Sequence, residues 1–297
     1  MSTKWKNFSE MGSKKLMLIM RWIILHTNRH LARACLYLIV GYYFFLTKKG
    51  KTDSKKFLDK VLPKPASPIN ISKHFFYWAS TLLDRVYMVS GKTHLLSLEV
   101  INAELVTTKL SANNGCIMLG SHLGSFEILR CLAQIMGNLP LKIVIDVGSS
   151  QQFNKNLYAI NPEIEKLFIH ATDQESVFAI NNALKQGSMI GILGDRVINK
   201  QRKITCDFLG EKADLPTGPM LLASLFEVPV ILFFGIYLGG NRYRVIFELF
   251  SERILVDRNQ REQQIGVYVE SYVKRLEHYA KQYPYNWFNF YDYWKHN

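Results

Sequence analysis

The chain has 297 residues, 48% hydrophobic and 21% charged, which excludes wholesale disorder and allows one large domain or two ordinary ones. A mean hydropathy of −0.02 excludes a polytopic membrane protein. The formal charge of +13 is uneven: residues 1–60 carry 13 Lys and Arg against Glu10, Asp53 and Asp59, a net of +10, while the remainder holds 24 basic and 21 acidic residues. A basic arm on a nearly neutral body points to an anionic partner, either nucleic acid or an anionic membrane face.

Two apolar segments lie within the arm. The first is Leu16-Met-Leu-Ile-Met, Arg21 and Trp22-Ile-Ile-Leu25; the second runs from Ala34 to Leu46 and is rich in Tyr and Phe. Lys14, Lys15, Arg29 and Arg33 precede or separate them, and Lys48, Lys49 and Lys51 follow. Apolar runs with aromatic residues and basic edges suit a membrane interface, whereas nucleic-acid arms are polar, so no nucleic-acid partner is expected. The second run is shorter than the ~20 residues of a spanning helix. It could reach across by snorkelling of its flanking cations, lie among the headgroups, or pack as an ordinary core helix. No small-residue cleavage site follows the first run, so a cleaved signal peptide is not expected.

Residues 50–68 are polar and carry Pro63, Pro65 and Pro68, the pattern of a linker or irregular crossing. An aromatic helix is expected over His74 to Val89, and the stretch around His94 and Glu99 reads as continuous helix. From Gly115 short apolar runs alternate with helical stretches. Strands are expected at 116–119, 141–147, 167–169, 189–193, 228–234 and 243–250, and helices at 126–135, 151–160, 176–185, 217–226 and 261–283. This is an α/β pattern with a largely parallel mixed sheet flanked by helices. The expected organisation is a membrane-associating helical region over 1–50, a linker and aromatic helical segment over 51–114, and a single α/β core over 115–297. Cys35, Cys116, Cys131 and Cys206 show neither CxxC nor paired His spacing, so free thiols in a reducing compartment are expected, with no metal site.

Ligands of such sheets gather at the carboxyl ends of strands. Two of these ends carry chemistry: Gly120-Ser-His-Leu-Gly-Ser-Phe-Glu127 and Gly194-Asp-Arg196. His122 and Glu127 form an H-x4-E spacing, which recurs at His94/Glu99 and His170/Glu175 and is close to chance in a chain with eight histidines. On one helix, five residues turn by ~500°, so His94 and Glu99 would point ~140° apart. Thr172-Asp-Gln-Glu175 reads as a capping box, which occupies Glu175. His122 differs, because it follows a buried strand in a loop flanked by Gly120 and Gly124, with Ser125 as an N-cap and Glu127 in the first helical turn. A carboxylate on one imidazole nitrogen fixes the tautomer and leaves the other nitrogen to take a proton from an alcohol or amine. A satisfied loop histidine is the plain alternative. No G-x-S-x-G elbow is present, which disfavours a serine esterase. At the second strand end, Arg196 could fork onto a phosphate or a developing oxyanion, or pair with Asp195 to tie a loop. Thr217-Gly218-Pro219 opens a helix whose N-terminus could hold a phosphate or could simply be capped.

Leu119-Gly-Ser-His-Leu-Gly-Ser-Phe-Glu127, Gly191-Ile-Leu-Gly-Asp-Arg196, Phe208-Leu-Gly with Pro216-Thr-Gly-Pro219, and the terminal Tyr285-Asn-Trp-Phe-Asn-Phe-Tyr-Asp-Tyr-Trp294 occur in order. Together with the arm they resemble the lysophospholipid acyltransferase superfamily, and within it the bacterial late acyltransferases of lipid A biosynthesis. The resemblance implies that His122 is a general base oriented by Glu127, and that Asp195 and Arg196 contact substrate; Ser125 and Gly218, at the helix N-termini beside these segments, are expected to contact substrate as well. It implies acyl transfer from an acyl carrier protein, less so from coenzyme A, to a hydroxyl or amine of a membrane lipid or glycolipid. It also implies a place on the cytoplasmic face of a bacterial inner membrane, held to its anionic surface. No cofactor is implied beyond the acyl thioester co-substrate. The Phe-Pro-Glu-Gly segment of the glycerolipid branch is missing, which argues against a simple glycerol-3-phosphate or lysophosphatidate acceptor. The terminal aromatic run would form a wall for acyl chains or part of the core. A non-catalytic lipid-binding scaffold is the alternative function. The enzyme expectation requires the His122 and Glu127 side chains to face one another.

Overall fold

The computed structural model describes residues 29–111, 115–145, 160–171, 174–198 and 201–294. The first apolar segment, nearly all of the helix expected over 151–160, Thr172 of the capping box and Lys200 lie outside the described residues.

Seven strands form one sheet. They are β1 (Ser97–Ile101), β2 (Cys116–Gly120), β3 (Leu141–Ile145), β4 (Phe168–His170), β5 (Met189–Leu193), β8 (Val230–Gly239) and β9 (Arg242–Ser251), in the spatial order β1-β9-β8-β2-β5-β3-β4. All neighbours are parallel except β8 and β9, which form an antiparallel hairpin. The sheet is therefore mostly parallel and mixed, as expected. Its central strands read as continuous apolar runs because both faces are covered. Along β2, Ile117 and Leu119 pack to one side while Cys116 and Met118 pack to the other. One face is covered by α1 (Arg29–Leu46), α2 (Lys48–Val61), α3 (Pro68–Val89), α7 (Gly218–Phe226), α8 (Arg261–Gln282) and the C-terminal segment; α5 (Glu127–Ile135) and Val106 of α4 (Ala103–Ser111) cover the other. The remaining helix, α6 (Gln174–Lys185), packs Ile180 and Leu184 against the first face.

Three expectations are corrected. Most of the segment expected as a linker is helix: α2 buries Ser54, Phe57 and Leu58 on one face, a stripe hidden in sequence by its lysines. The residues around Glu99 are not helical. A short 3-10 turn, Thr93–Leu95, leads into edge strand β1, in which Ser97 and Glu99 are exposed and Leu98 and Val100 half-buried. Backbone pairing with β9 outweighs the weak helical pattern. Finally, Lys203–Phe208 and Glu211–Pro216 form a separate hairpin, β6–β7, absent from the expected elements. Its two-residue loop, Leu209 and Gly210, has φ of 53° and 80°, the left-handed pair that tight hairpins require.

α1 buries Ala32, Leu36 and Val40 at four-residue spacing. Its opposite face exposes Leu31, Leu38, Tyr42 and Phe45, with Leu38 at 78% and Phe45 at 79%. The chain bends by 98° into α2, which exposes Lys48, Lys49 and Lys55. Among the described residues no single helix is long and apolar enough to cross a membrane, although α1 and α2 together pass that test as a bent pair. The cysteines are free; Cys116, Cys131 and Cys206 are buried and Cys35 half-buried.

His74 of α3 is fully buried among Phe57, Phe288 and Phe290. Its Nε2–H donates to the Trp287 carbonyl (3.0 Å), so its Nδ1 accepts from the Ser54 hydroxyl (2.8 Å). Burial pushes its pKa down to about 4. The unfolded chain, with a pKa near 6.5, therefore takes up this proton first as pH falls, and stability is lost between those values. That window is worth about 3 kcal/mol. The loss of stability between pH 7 and pH 4, read by urea denaturation, should be larger in the native protein than in His74→Gln by about this amount.

Candidate active site

β2 enters the middle of the sheet between β5 and β8, and the chain leaves it at Ser121. Three backbone hydrogen bonds tie the following loop to β8 and to the C-terminal segment. The Ser125 amide donates to the Gly235 carbonyl (2.8 Å), the Gly124 amide to the Asn286 carbonyl (2.8 Å) and the Phe288 amide to the His122 carbonyl (2.9 Å). The crossing of this loop over β8 demands glycine twice. A Cβ at Gly124, whose φ is 84°, would lie 2.1 Å from the Gly235 carbonyl oxygen, and a Cβ at Gly235 would lie 2.3 Å from that of Ser125. The loop therefore sits as a short strip between β8 and the C-terminal segment, with the His122 side chain 27% exposed.

The carboxylate that meets His122 is Asp195, at the end of the adjacent strand β5. The His122 Nδ1–H donates to Asp195 Oδ1 (2.8 Å), and the His122 amide donates to Oδ2 (3.0 Å). Asp195 is fully buried, and its Oδ2 also accepts from Asn289 Nδ2 (3.0 Å). The Asn289 Oδ1 accepts from Arg196 Nε (2.6 Å), and Arg196 Nη2 donates to the Phe288 carbonyl (2.9 Å). With the Phe288 amide on His122, these contacts close a ring through three segments far apart in sequence. The Tyr293 hydroxyl adds a bond to the Asp195 carbonyl (2.5 Å), and the Tyr272 hydroxyl one to the Gly120 carbonyl (2.9 Å).

Electrostatics follow from this arrangement. Burial opposes ionisation of Asp195, but the neighbouring His122 and Arg196 and the donated hydrogen bonds outweigh it and hold the carboxyl well below the usual carboxylate range. Burial, and then the Arg196 guanidinium, push the His122 imidazole below its ordinary value despite the pull of Asp195. The downward shift favours the neutral imidazole, whose proton the Asp195 carboxylate holds on Nδ1. Among the described residues its Nε2 has no hydrogen-bond partner, so its lone pair is available to a ligand.

The expected pairing of His122 with Glu127, which the sequence-based enzyme expectation required, is not formed; the carboxylate that meets His122 is Asp195 instead. Glu127 opens α5 and turns along it: Oε1 accepts from Arg130 Nε, one turn on, and Oε2 from Arg85 Nε of α3 (3.2 Å). Arg130 also donates to the Met88 carbonyl (2.7 Å). Glu127 therefore clamps α5 to α3. Ser125 is buried and is used through its backbone; the residue preceding α5 is Phe126, in helical conformation, and no side chain caps the helix. Arg196, expected to fork onto a ligand anion, directs Nε and Nη2 at the C-terminal segment and lies over the Tyr291 ring at 5.7 Å. Gly218 opens α7, where an added Cβ would meet nothing within 4 Å. The Thr217 side chain does not cap this helix; its hydroxyl donates to the Arg202 carbonyl (3.3 Å). His94, Glu99, His170 and Glu175 are all exposed, and Glu99 pairs with Arg244.

Asn289 and Tyr293 were not expected at the site. The signal available in sequence was a pair of asparagines, Asn286 and Asn289, inside an aromatic run. A buried amide needs polar partners, and both find them: Asn286 bonds the amide and carbonyl of Tyr237. The aromatic run itself packs into the core rather than standing as a free wall, with Trp287 fully buried against Phe57, Phe208 and Tyr293. Among the described residues no group of three or more His, Cys, Asp and Glu side chains is placed to hold a metal ion.

A mostly parallel α/β sheet here presents an imidazole held by a buried carboxylate at adjoining strand ends, the place where ligands of such sheets gather. The chain belongs to the bacterial lipid A biosynthesis acyltransferase family, whose family model matches residues 6–296. The protein is accordingly an acyltransferase with a lipid acceptor, and a membrane-associated bacterial protein. No curated protein matches the chain.

Glu127→Ala leaves the buried Arg130 guanidinium and Arg85 without their shared carboxylate. Removing one partner of a buried ion pair costs about 3–5 kcal/mol, so the expected result is a lower melting temperature and denaturation midpoint, with the His122–Asp195 contact retained in whatever fraction stays folded. Denaturant titration, with NMR of the His122 ring, checks both parts.

Proposed function

We propose that the protein transfers a fatty acyl chain from an acyl thioester to a hydroxyl or amine of a membrane lipid or glycolipid, with His122 as general base and Asp195 as the residue that orients it. The reading rests on one observation above all: the His122 Nδ1–H is held by a buried carboxylate while Nε2 lacks a partner among the described residues. The acceptor gives its proton to Nε2 as its oxygen or nitrogen attacks the thioester carbonyl. The tetrahedral intermediate then collapses with cleavage of the C–S bond, and the imidazolium returns the proton to the departing thiolate. Asp195 stabilises the imidazolium between these two transfers. No nucleophile of the enzyme enters the sequence of steps, which agrees with the absence of a G-x-S-x-G elbow.

The donor is read as an acyl carrier protein before coenzyme A. Such carriers are acidic, and Lys48, Lys49 and Lys55 present an exposed basic face on α2. The same lysines beside the exposed apolar face of α1 suit an anionic leaflet, so attachment is proposed at the cytoplasmic surface of the inner membrane. Mass spectrometry of membrane lipids from cells with and without the protein, searched for one missing acyl chain, identifies the acceptor; unchanged lipids would count against the reading and favour a scaffold.

His122→Ala should remove thioester consumption in a folded protein. Asp195→Asn should lower kcat by ~10⁴, the loss typical when the acid behind a catalytic histidine becomes an amide. An asparagine amide would donate to Nδ1 and shift the proton to Nε2, the wrong tautomer for a base. Near-normal turnover in either variant rules the mechanism out.

The pH profile has a defined sign. A base works only when neutral, and the His122 pKa lies below its ordinary 6.5. The rate should therefore hold as pH falls through 6.5 and decline only below it. An acid limb at or above 6.5 would show that the pull of Asp195 outweighs burial and Arg196 at His122.

A further inference from the structure

We propose that Asn289 is a positioning residue for the base, its amide being fixed by Arg196 so that it holds the Asp195 carboxylate against His122. The inference rests on the reading of His122 as base and extends the working site to the C-terminal segment.

Asn289 is 1% exposed and lies between two groups of opposite demand. The Asp195 carboxylate can only accept, and the Arg196 guanidinium can only donate. A primary amide satisfies both, and in one orientation alone: Nδ2 on Asp195 Oδ2 (3.0 Å) and Oδ1 on Arg196 Nε (2.6 Å). Rotating the amide by half a turn would set donor against donor and acceptor against acceptor. Arg196 is fixed in turn by the Phe288 carbonyl, one residue before Asn289, and by the Tyr291 ring. Asp195 Oδ2 accepts from Asn289 and from the His122 amide, which aims Oδ1 at the His122 ring nitrogen. A carboxylate free to rotate would lose that aim. The titratable and charged groups facing Asp195 are His122, Arg196, Tyr272 from α8, and Tyr291 and Tyr293 from the C-terminal segment; burial keeps all three phenols protonated.

The test uses the full chain labelled with ¹⁵N-histidine, with His122 assigned by its absence in His122→Ala. In the native protein the neutral ring should carry its proton on Nδ1. In Asn289→Leu the Nε2–H tautomer should become populated, and kcat should fall by the order of 10- to 100-fold, as for other lost supporting contacts, with KM nearly unchanged. Asn289→Asp keeps the acceptor for Arg196 but sets a second carboxylate against Asp195. Two such groups share one proton. The protonated form can donate to Asp195 as the amide did, so this variant should recover activity as pH falls and show a new alkaline limb, which a purely structural role would not produce. Trp294→Ala loosens the same segment where its indole donates to the Phe208 carbonyl, without touching Asp195, and should leave the His122 tautomer as in the native protein. A folded Asn289→Leu with the native tautomer and native kcat overturns the proposal, as does an equal change in Trp294→Ala, which would assign the effect to docking of the segment. The ring spectra decide the matter even if the native protein consumes no thioester, an outcome that would instead remove the acyl-transfer reading.

Discussion

A carboxylate with no solvent exposure sits at the end of β5, and much of the molecule is arranged around it. Burying an ion costs several kcal/mol unless donors replace the lost water. Asp195 meets that demand with the His122 amide, the His122 ring and the Asn289 amide, beside the Arg196 guanidinium. None of these lies close by in sequence except Arg196. β5 must pair beside β2 to bring His122, and the C-terminal segment must dock to bring Asn289. The bonds that neutralise the buried charge are the same bonds that aim the imidazole, so stability of this corner and orientation of the His122 ring are one problem with one solution.

The glycines enforce this arrangement from below. Gly124 and Gly235 let the loop after β2 and strand β8 cross at backbone contact distance, and any side chain there would push the loop away. The C-terminal segment then completes the strip through Asn286 and Phe288. Its aromatic residues supply the apolar weight that keeps it docked, Trp287 and Tyr293 being buried and Trp294 anchored to the hairpin β6–β7. Large aromatic burial on either side of two asparagines is how a chain end, normally prone to fray, can hold polar groups to a fixed geometry.

Strands β2 and β5 were legible because each is an unbroken apolar run ended by glycine, and α8 because its apolar spacing persists over many turns. β1 and α2 were not, since an exposed edge strand alternates only weakly and a lysine-rich helix masks its buried stripe. The hairpin β6–β7 escaped because its strands are largely polar, although Leu209-Gly210 marked the turn. At the site, His122 was legible from its place after a buried strand. Its acid was not. A spacing of five residues proposed Glu127, but the first turn of α5 directs that side chain to Arg130 and Arg85. Asp195 stands 73 residues away, a neighbour only because sheet order sets β5 beside β2. Linear spacing cannot express that adjacency. The general rule that ligands collect where strand ends converge points to the pair, since both strand ends carry chemistry in the sequence.

The sheet also relates the site to the surface proposed for the membrane. Arg29 and Arg33 of α1 both donate to the Gly240 carbonyl, in the turn after β8, and Arg33 donates to the Tyr237 hydroxyl as well. β8 runs parallel to β2, so this turn lies at the same end of the sheet as His122. Arg29 is held further by the buried Asp84, which also accepts from Tyr243. The helix with the exposed apolar face is thus pinned to the end of the sheet that carries the imidazole. The 98° bend at Thr47 then sends α2 away at a steep angle with Lys48, Lys49 and Lys55 outward, an arrangement that a hydrocarbon interior would penalise and an anionic headgroup layer would favour. An acceptor that keeps its tails in the bilayer must be reached at that layer, and in the proposed reading the apolar face of α1 and the proposed base His122 share one end of the sheet.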